Sequence, residues 1–277
     1  MVTLKTKYII LYSILIFITL LTITIDHKAT YRDINVTKSI NYKTEDNSIK
    51  KEASEEKKLL NTKSFRVMSY NIHRAKNEKH KNTLNDMIIL LNESNADIVC
   101  LQEVTKSQHE RIREMTKTSA KFVSNAKRAI VSDGVATYSK YPIVESKHVL
   151  LTSKNEQRGF LHTSYKIDGK LINVINVHLG LNKSERATQI SEILEYIEKL
   201  EGETILAGDF NERYVRLDSF TDTGKYHGYG NKPTFEALDT RIDYIFITTN
   251  SIYSTTYDVL KTDLSDHYPI ITKIRQK

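Results

Sequence analysis

The pattern of apolar and polar positions predicts an alternation of strands and helices from residue 65 onward. Short runs rich in β-branched and aromatic residues are bounded by turn-forming residues, which is typical of buried strands. Gly169 directly after Asp168 predicts a tight turn between two of the runs, so part of the sheet structure should be antiparallel. Eight such runs are present, at 65–72, 97–104, 134–143, 159–167, 171–179, 203–211, 241–248 and 267–274.

Two amphipathic helices are predicted by apolar residues at helical spacing. Ahead of the second helix, Asn182 and Glu185 stand in the positions of an N-cap and its side-chain partner. Because many strands are combined with few helices, the pattern favours packed sheets flanked by helices over a purely parallel sheet. The first apolar stripe comprises Leu84, Met87, Ile88 and Leu91, and the second comprises Ala187, Ile190, Ile193, Leu194, Ile197 and Leu200.

An uncharged apolar run of 18 residues occupies 8–25 and follows Lys5 and Lys7. As a helix it would be about 27 Å long, close to the hydrocarbon thickness of a bilayer. We expect an uncleaved anchor, because the run is longer than a usual signal-peptide core and no small-x-small cleavage site follows it. A buried core helix is the alternative, but the run lies at the extreme terminus and a polar segment follows it, which argues against a place in the core. The lysines predict a cytoplasmic tail at 1–7 and an extracytoplasmic domain on the cell membrane, with a secreted form as the alternative.

Residues 26–63 are polar and mixed in charge, which predicts a flexible tether. Residues 64–277 are long enough for one catalytic-size domain, which we expect to be a monomer. The net charge of +7 hints at nucleic acid, but residues 1–63 hold 11 basic and 7 acidic residues, which leaves only +3 on the domain. A nucleic-acid-binding protein usually has a concentrated basic stripe, so this partner is not favoured. The single cysteine, Cys100, excludes an intramolecular disulfide.

Polar residues that can bind metal recur at the carboxyl ends of the predicted strands. They are Asn71, Glu103, His178 and the pair Asp209 and Asn211. Any one of them could be a cap or turn residue, but several unpaired carboxylates near an apolar core would cost on the order of several kcal/mol. A shared site at one rim is the simpler explanation.

Oxygen ligands suit Mg²⁺ or Mn²⁺, which carboxylates commonly hold together with phosphate oxygens of a substrate. The sequence contains no zinc-ligand spacing, P-loop or nucleophile elbow. It therefore favours metal-assisted attack of water on phosphorus, with Glu103 as the first-choice ligand.

Seven segments, in order along about 65–275, resemble the motifs of the endonuclease/exonuclease/phosphatase superfamily. They are SYNIH (69–73), LQEV (101–104), YSKYPI (138–143), NVHLG (176–180), AGDFNE (207–212), RIDYIF (241–246) and SDHYPI (265–270). The resemblance implies a four-layer α/β/β/α sandwich of two mixed sheets flanked by helices. It also implies a Mg²⁺-dependent phosphodiesterase or phosphatase.

The resemblance further implies roles for individual residues. Asn71 and Glu103 would form the metal site, with Glu103 binding the cation directly and Asp266 as a further metal or water ligand. Such roles fit phosphoryl chemistry, which depends on positioning groups and stabilising developing charge.

The remaining implied roles belong to the reaction itself. Asp209 would orient or deprotonate the attacking water, and Asn211 would hold the phosphate or the water. His267 would donate to a phosphate oxygen, oriented by Asp243, with His178 as a second donor on the phosphate side.

Within the superfamily, the ERxxQ stretch at 185–189 resembles a small bacterial branch grouped with membrane and lipid-related phosphodiesterases. Arg158 also fits that branch and could clamp a phosphate. Abasic-site nucleases of the family usually have a tyrosine just before the GVA strand, where this chain has Ser132 and Asp133. We therefore expect a lipid headgroup or another small phosphoester as substrate, with an extracytoplasmic nuclease acting on DNA or RNA as the alternative.

Overall fold

The structure is a computed structural model that describes residues 64–125 and 133–277. Its strands are β1 (Ser64–Asn71), β2 (Ile98–Thr105), β3 (Ser119–Ser124), β4 (Asp133–Ser139), β5 (Glu145–Leu150), β6 (Gly159–Ile167), β7 (Lys170–His178), β8 (Glu203–Asp209), β9 (Thr221–Asp222), β10 (Asp243–Ile247), β11 (Ile252–Val259) and β12 (Ile270–Gln276). Its α-helices are α1 (Leu84–Glu93), α2 (Lys106–Thr116), α3 (Lys183–Ile197) and α4 (Thr223–Tyr226), and a short 3-10 turn spans His73–Ala75.

The strands form two six-stranded sheets of mixed direction. The first has the order β11-β12-β1-β2-β4-β3, and the second has the order β5-β6-β7-β8-β10-β9. Parallel pairs lie near the middle of each sheet, β1 with β2 and β7 with β8, and the other strand pairs are antiparallel. The predicted turn at Gly169 joins the antiparallel strands β6 and β7, and both Asp168 and Gly169 have the positive φ that such a turn requires.

Alternation of side chains along the central strands places one core between the sheets and one on each outer face. Phe65 and Val67 of β1 point into the core between the sheets, whereas Met68 and Tyr70 point to the outer face. Helices α1 and α2 cover that outer face, and α3 covers the outer face of the second sheet. The described residues therefore confirm two mixed sheets with flanking helices.

All eight predicted runs contain a strand, but four strands were not predicted: β3, β5, β9 and β11. Helices α2 and α4 were also missed. Of the two predicted cap residues of α3, Asn182 is confirmed, because its Oδ1 accepts from the backbone nitrogens of Ser184 and Glu185. The Glu185 side chain, however, bonds elsewhere, with Gln189 and the backbone of Lys154.

The predicted N-terminal segments lie outside the described residues: the tail at 1–7, the membrane anchor at 8–25 and the tether at 26–63. Within 64–125 and 133–277, no helix is both long enough and apolar enough to cross a membrane.

Candidate active site

Strand pairing brings the predicted site residues to one rim. The parallel pair of β1 and β2 aligns Asn71 with Gln102, and the parallel pair of β7 and β8 aligns His178 with Asp209. Strand β10 runs antiparallel to β8 and starts at Asp243, directly opposite Asp209. Residues separated by more than 100 positions therefore meet where these strands begin or end.

Asp209 lies at the centre of the cluster. Its Oδ1 accepts from the backbone nitrogen of Asn211 at 2.8 Å, and its Oδ2 accepts from Asn71 Nδ2 at 3.0 Å. Burial raises the pKa of Asp209 to about 7, since the opposing charge of His267 offsets only part of the desolvation. A carboxyl group with a pKa near neutrality is suited to exchange a proton with water.

Asn71 connects Asp209 to a second carboxylate. Its Nδ2 also lies 3.2 Å from Glu103 Oε1, while its Oδ1 accepts from the backbone nitrogen of His73 at 3.0 Å. The buried hydroxyl of Ser265 donates to the Asn71 carbonyl at 2.8 Å and so fixes the end of β1. Asn71 therefore sets the separation of the two carboxylates.

Glu103 is presented by an irregularity in β2. The pairing of β2 with β4 shifts register between Gln102 and Val104, so Glu103 is an extra residue in the strand. Its φ is +56°, which costs a non-glycine residue on the order of 1 kcal/mol or more. Burial raises the pKa of Glu103, and the hydrogen bond from Asn71 opposes that rise.

A buried histidine and aspartate face Asp209 from the other side. His267 Nδ1 lies 2.9 Å from Asp243 Oδ2, and His267 Nε2 lies 3.7 Å from Asp209 Oδ2. Burial lowers the pKa of His267, but the charges of Asp243 and Asp209 outweigh this effect and raise it to about 10. His267 is therefore an imidazolium at neutral pH, with its second nitrogen directed toward the centre of the site. The Thr234 hydroxyl accepts from the backbone nitrogen of Asp243 and holds the start of β10.

His178 and Arg158 lie on a third side of Asp209, apart from the Asn71 and His267 sides. His178 Nε2 lies 3.6 Å from Asp209 Oδ2. The Arg158 Nη1 atom lies 3.0 Å from His178 Nδ1 and 3.2 Å from Nε2, so the guanidinium faces the ring. Burial and the charges of Arg158 and His267 lower the pKa of His178 well below its ordinary value. It is therefore neutral and can donate through one nitrogen only.

Two predicted residues take more peripheral positions. Asp266 is partly exposed, and its Oδ1 lies 3.4 Å from His73 Nδ1. Asn211 is at φ +51°, and its Nδ2 donates to the Leu179 carbonyl at 2.9 Å. At the same rim Arg74 pairs with Asp133, whereas Ser132 lies outside the described residues.

Sequence reasoning missed the supporting residues Thr234, Ser265 and His73. Ser265 and His73 lie inside the quoted motifs SDHYPI and SYNIH, so their position beside predicted residues was the available signal. Thr234 carries no comparable signal, because it acts through backbone atoms of residues that follow it by eight and nine positions.

The residues present fit a hard divalent cation. Glu103 and Asp266 offer carboxylate oxygens of the kind that Mg²⁺ and Mn²⁺ prefer. Asn71 would offer its Oδ1, which in this structure accepts from the His73 backbone nitrogen. Ligand atoms of Asp209, Asp243 and His267 also lie within 4.8 Å of one another. The buried Asp243 Oδ1 has no hydrogen-bond partner among the described residues. The protonated His267 ring has no free nitrogen lone pair and cannot bind a metal. The cation should therefore bind beside Glu103 and not among Asp209, Asp243 and His267.

Together these features define a class of protein: a helix-flanked pair of mixed sheets whose shared rim holds carboxylates, amides and histidines. The family model described as Endonuclease/Exonuclease/phosphatase family matches residues 68–267. The chain belongs to this family, whose named activities all hydrolyse phosphoester bonds.

The chain is also similar to a bacterial protein and to two solved structures. The uncharacterized protein YbhP of Escherichia coli strain K12 is 29% identical over 246 residues, which covers 76% of this chain and 96% of that protein. The endonuclease/exonuclease/phosphatase from Bacteroides vulgatus has a TM-score of 0.68 at 19% identity and covers 78% of this chain and 100% of that one. D. rerio TDP2, solved with a single-strand DNA product, has a TM-score of 0.67 at 16% identity and covers 77% and 100%. At these identities the two solved structures show a shared fold.

Proposed function

We propose that the chain is a Mg²⁺-dependent phosphoester hydrolase in which water attacks phosphorus at the rim formed by β1, β2, β7 and β8. The observation that carries the proposal is the position of Asp209. It is buried, has a pKa of about 7, and lies between the Glu103 carboxylate and the His267 imidazolium. Asp209, the proton acceptor, thus lies between the Glu103 carboxylate on the metal side and the His267 imidazolium on the phosphate side.

Each of the following site residues has a role in this reaction. Asp209 accepts a proton from water through a carboxylate oxygen, and Asn211 holds the water or the phosphate beside it. His267 Nε2 donates to a phosphate oxygen as negative charge develops, which is where a fixed donor has most effect. His178 donates to the phosphate from the third side. The Arg158 guanidinium binds a phosphate oxygen in exchange for its contact with the exposed Glu156 carboxylate.

Glu103, Asn71 and Asp266 would hold Mg²⁺ or Mn²⁺, with Glu103 as the direct ligand. When bound, the cation would neutralise charge on the phosphate and polarise its oxygens. The adjacent carboxylates support this assignment, since Asn71 holds Glu103 and Asp209 on a single amide.

A lipid headgroup or another small phosphoester is the proposed substrate. The nearly balanced charge of 64–277 supports this choice, because a nucleic-acid groove is usually strongly basic. A nuclease is the alternative, favoured by the similarity in fold to D. rerio TDP2 bound to single-strand DNA.

A substrate panel at fixed Mg²⁺ tests the proposal. Full-length protein would be assayed with sphingomyelin vesicles, phosphatidylinositol vesicles, inositol phosphates and plasmid DNA, with EDTA and with the Glu103→Gln variant as controls. We expect EDTA-sensitive phosphate-ester cleavage of a lipid or a small ester. Cleavage confined to plasmid DNA would favour the nuclease, and full activity in EDTA would exclude the metal-dependent mechanism.

The domain is proposed to lie outside the cytoplasmic membrane on the 8–25 anchor, since Lys5 and Lys7 favour a cytoplasmic tail. Protease added to intact spheroplasts should release a fragment that begins within 26–63. Protection of the domain would reverse the orientation, and spontaneous release into the medium would indicate a secreted form.

A further inference from the structure

Helix α3 buries polar side chains where an apolar stripe would be expected. Its second half buries Ile193 and Ile197, but its first half buries Glu185, Arg186 and Gln189, and Gln189 is 0% exposed. Burying such groups is unfavourable unless they are hydrogen-bonded. We call these three residues the α3 clamp, and their partners show what they hold.

Gln189 joins two loops that lead into the active site. Its Oε1 accepts from the backbone nitrogen of Gly180 at 2.9 Å, in the loop that follows β7. Its Nε2 donates to the Thr152 carbonyl at 3.0 Å, in the loop that follows β5. The same Nε2 donates to Glu185 Oε1 at 3.1 Å, so the neighbouring carboxylate fixes which way the amide points.

Glu185 supports the same two loops. Its Oε2 lies 3.4 Å from the backbone nitrogen of Lys154. A Cβ atom on Gly180 would lie 2.4 Å from Glu185 Oε1, so a side chain at that position would collide with the carboxylate. A side chain at position 180 would therefore have to displace the Glu185 carboxylate from its hydrogen bonds.

Arg186 extends the contacts to the loop after β8. Its Nη1 donates to the Leu181 carbonyl at 2.6 Å, and its Nε and Nη2 donate to Glu212 Oε2 at 3.0 and 2.6 Å. Glu212 directly follows Asn211, whose own amide donates to the Leu179 carbonyl. The clamp therefore contacts the loops after β5, β7 and β8.

The loop after β5 ends at Arg158. The Ser153 hydroxyl accepts from the backbone nitrogen of Arg158 at 2.9 Å, and the Leu151 nitrogen donates to the Arg158 carbonyl at 2.9 Å. The Arg158 Nε atom is buried and has no hydrogen-bond partner among the described residues. Its Nη2 atom pairs with Glu156 Oε2 at 3.0 Å in the same loop. The contact of Arg158 with His178 thus depends on how this loop is held against the strand that carries His178.

We propose that Gln189, oriented by Glu185, is a positioning residue that sets the Arg158 guanidinium against His178 and so creates the anion-binding side of the site. This inference rests on the proposed function, because Arg158 is there assigned to the substrate phosphate. Among the described residues the clamp makes no hydrogen bond to Asn71 or Glu103, so we expect Gln189 to affect anion binding more than metal binding.

The experiment uses the full-length protein with Gln189→Leu, which keeps the volume of the side chain and removes its hydrogen bonds. We expect KM for the substrate and Kd for inorganic phosphate to rise about tenfold, because a small displacement of a binding group is costly. We expect kcat and the Mn²⁺ affinity to change less than about threefold. Gln276→Leu is the matched control, since Gln276 donates to the Ile167 carbonyl at the opposite end of β6.

A double-mutant cycle separates positioning from general structural support. If Gln189 acts through Arg158, Gln189→Leu should have little further effect on phosphate Kd in an Arg158→Ala background. Fully additive effects, or an unchanged Kd and KM in the single variant, would overturn the inference. Phosphate binding is measured without turnover, so it tests the clamp even if no substrate is hydrolysed and the proposed function fails.

Gln189→Glu keeps the inference falsifiable if the leucine variant does not fold. An ionised carboxylate cannot donate to the Thr152 carbonyl and repels Glu185, whereas the protonated form can donate. The phosphate affinity relative to wild type should therefore recover as pH falls. A ratio that does not change with pH, in a folded variant, would contradict the inference.

Discussion

Replacement of Asp243 by asparagine should convert His267 from an imidazolium to a mostly neutral ring at neutral pH. The pKa of His267 is raised from 6.5 to about 10. A rise of that size corresponds to about 5 kcal/mol in favour of the charged form, at about 1.4 kcal/mol per tenfold change in proton affinity. Asp243 should supply most of it, because its oxygen lies 2.9 Å from the ring while that of Asp209 lies 3.7 Å away. Asp243→Asn should therefore bring the pKa of His267 back toward 6.5.

Loss of the positive charge on His267 should lower kcat more than it raises KM. A donor that strengthens in the transition state affects kcat more than KM, so Asp243→Asn should lower kcat at pH 8 on the order of 10²-fold, the scale for one lost charge-stabilising donor. The loss should be smaller at pH 6, where more of the ring is protonated. His267→Ala should be at least as severe, and the double variant should lose much less than the sum of the two effects.

The assay is kcat and KM for bis(p-nitrophenyl) phosphate across pH 6 to 10 at saturating Mg²⁺, together with the imidazole NMR titration of His267. An alternative role for Asp243 is purely structural, since its backbone nitrogen is held by Thr234 at the start of β10. A lower melting temperature with unchanged kcat and an unchanged His267 titration would establish that structural role. Fully additive effects in the double variant would also defeat the pairing.

Three further predictions test the other sides of the site. Glu103→Gln should raise the Mg²⁺ concentration needed for half-maximal activity by at least about tenfold, because a carboxylate is the strongest hard ligand available, and an unchanged Mg²⁺ titration would remove Glu103 from the metal site. Asp209→Asn should lower kcat by about 10² or more with a native circular dichroism spectrum, and unchanged turnover would rule out a proton acceptor at this position. For stability, the raised pKa of His267 means that its stabilising charge is fully present below pH 6.5 and is lost as pH rises through about 10. The fall in melting temperature caused by His267→Asn should thus shrink between about pH 6.5 and pH 10, and a constant difference would contradict the charged state.

The strands that sequence patterns predict are those covered on both faces. Central strands such as β7 and β8 are buried almost throughout, so they appear as continuous apolar runs. The missed strands β3, β5, β9 and β11 are the four edge strands of the two sheets. Strand β5 is mostly exposed and β9 has only two residues, so neither leaves an apolar run in the sequence. Helix α2 was missed for a similar reason, because Ile112 is its only buried residue.

The sequence predicts which residues lie at the site, but not the hydrogen bonds and burial that fix their side chains. Asn71, Glu103, His178 and Asp209 could be placed together because parallel neighbouring strands end at one edge. The contact between Arg158 and His178 could not be predicted by the same argument, since it depends on side chains of α3 that hold a loop. The pKa of Asp209 likewise follows from burial by distant segments, which no local pattern records.

The irregular position of Glu103 implies a trade-off between activity and heat resistance. Its φ lies in the left-handed region and its carboxylate is partly buried, and both features oppose folding. Glycine at this position would relieve both burdens, so Glu103→Gly should yield an inactive protein with a higher melting temperature.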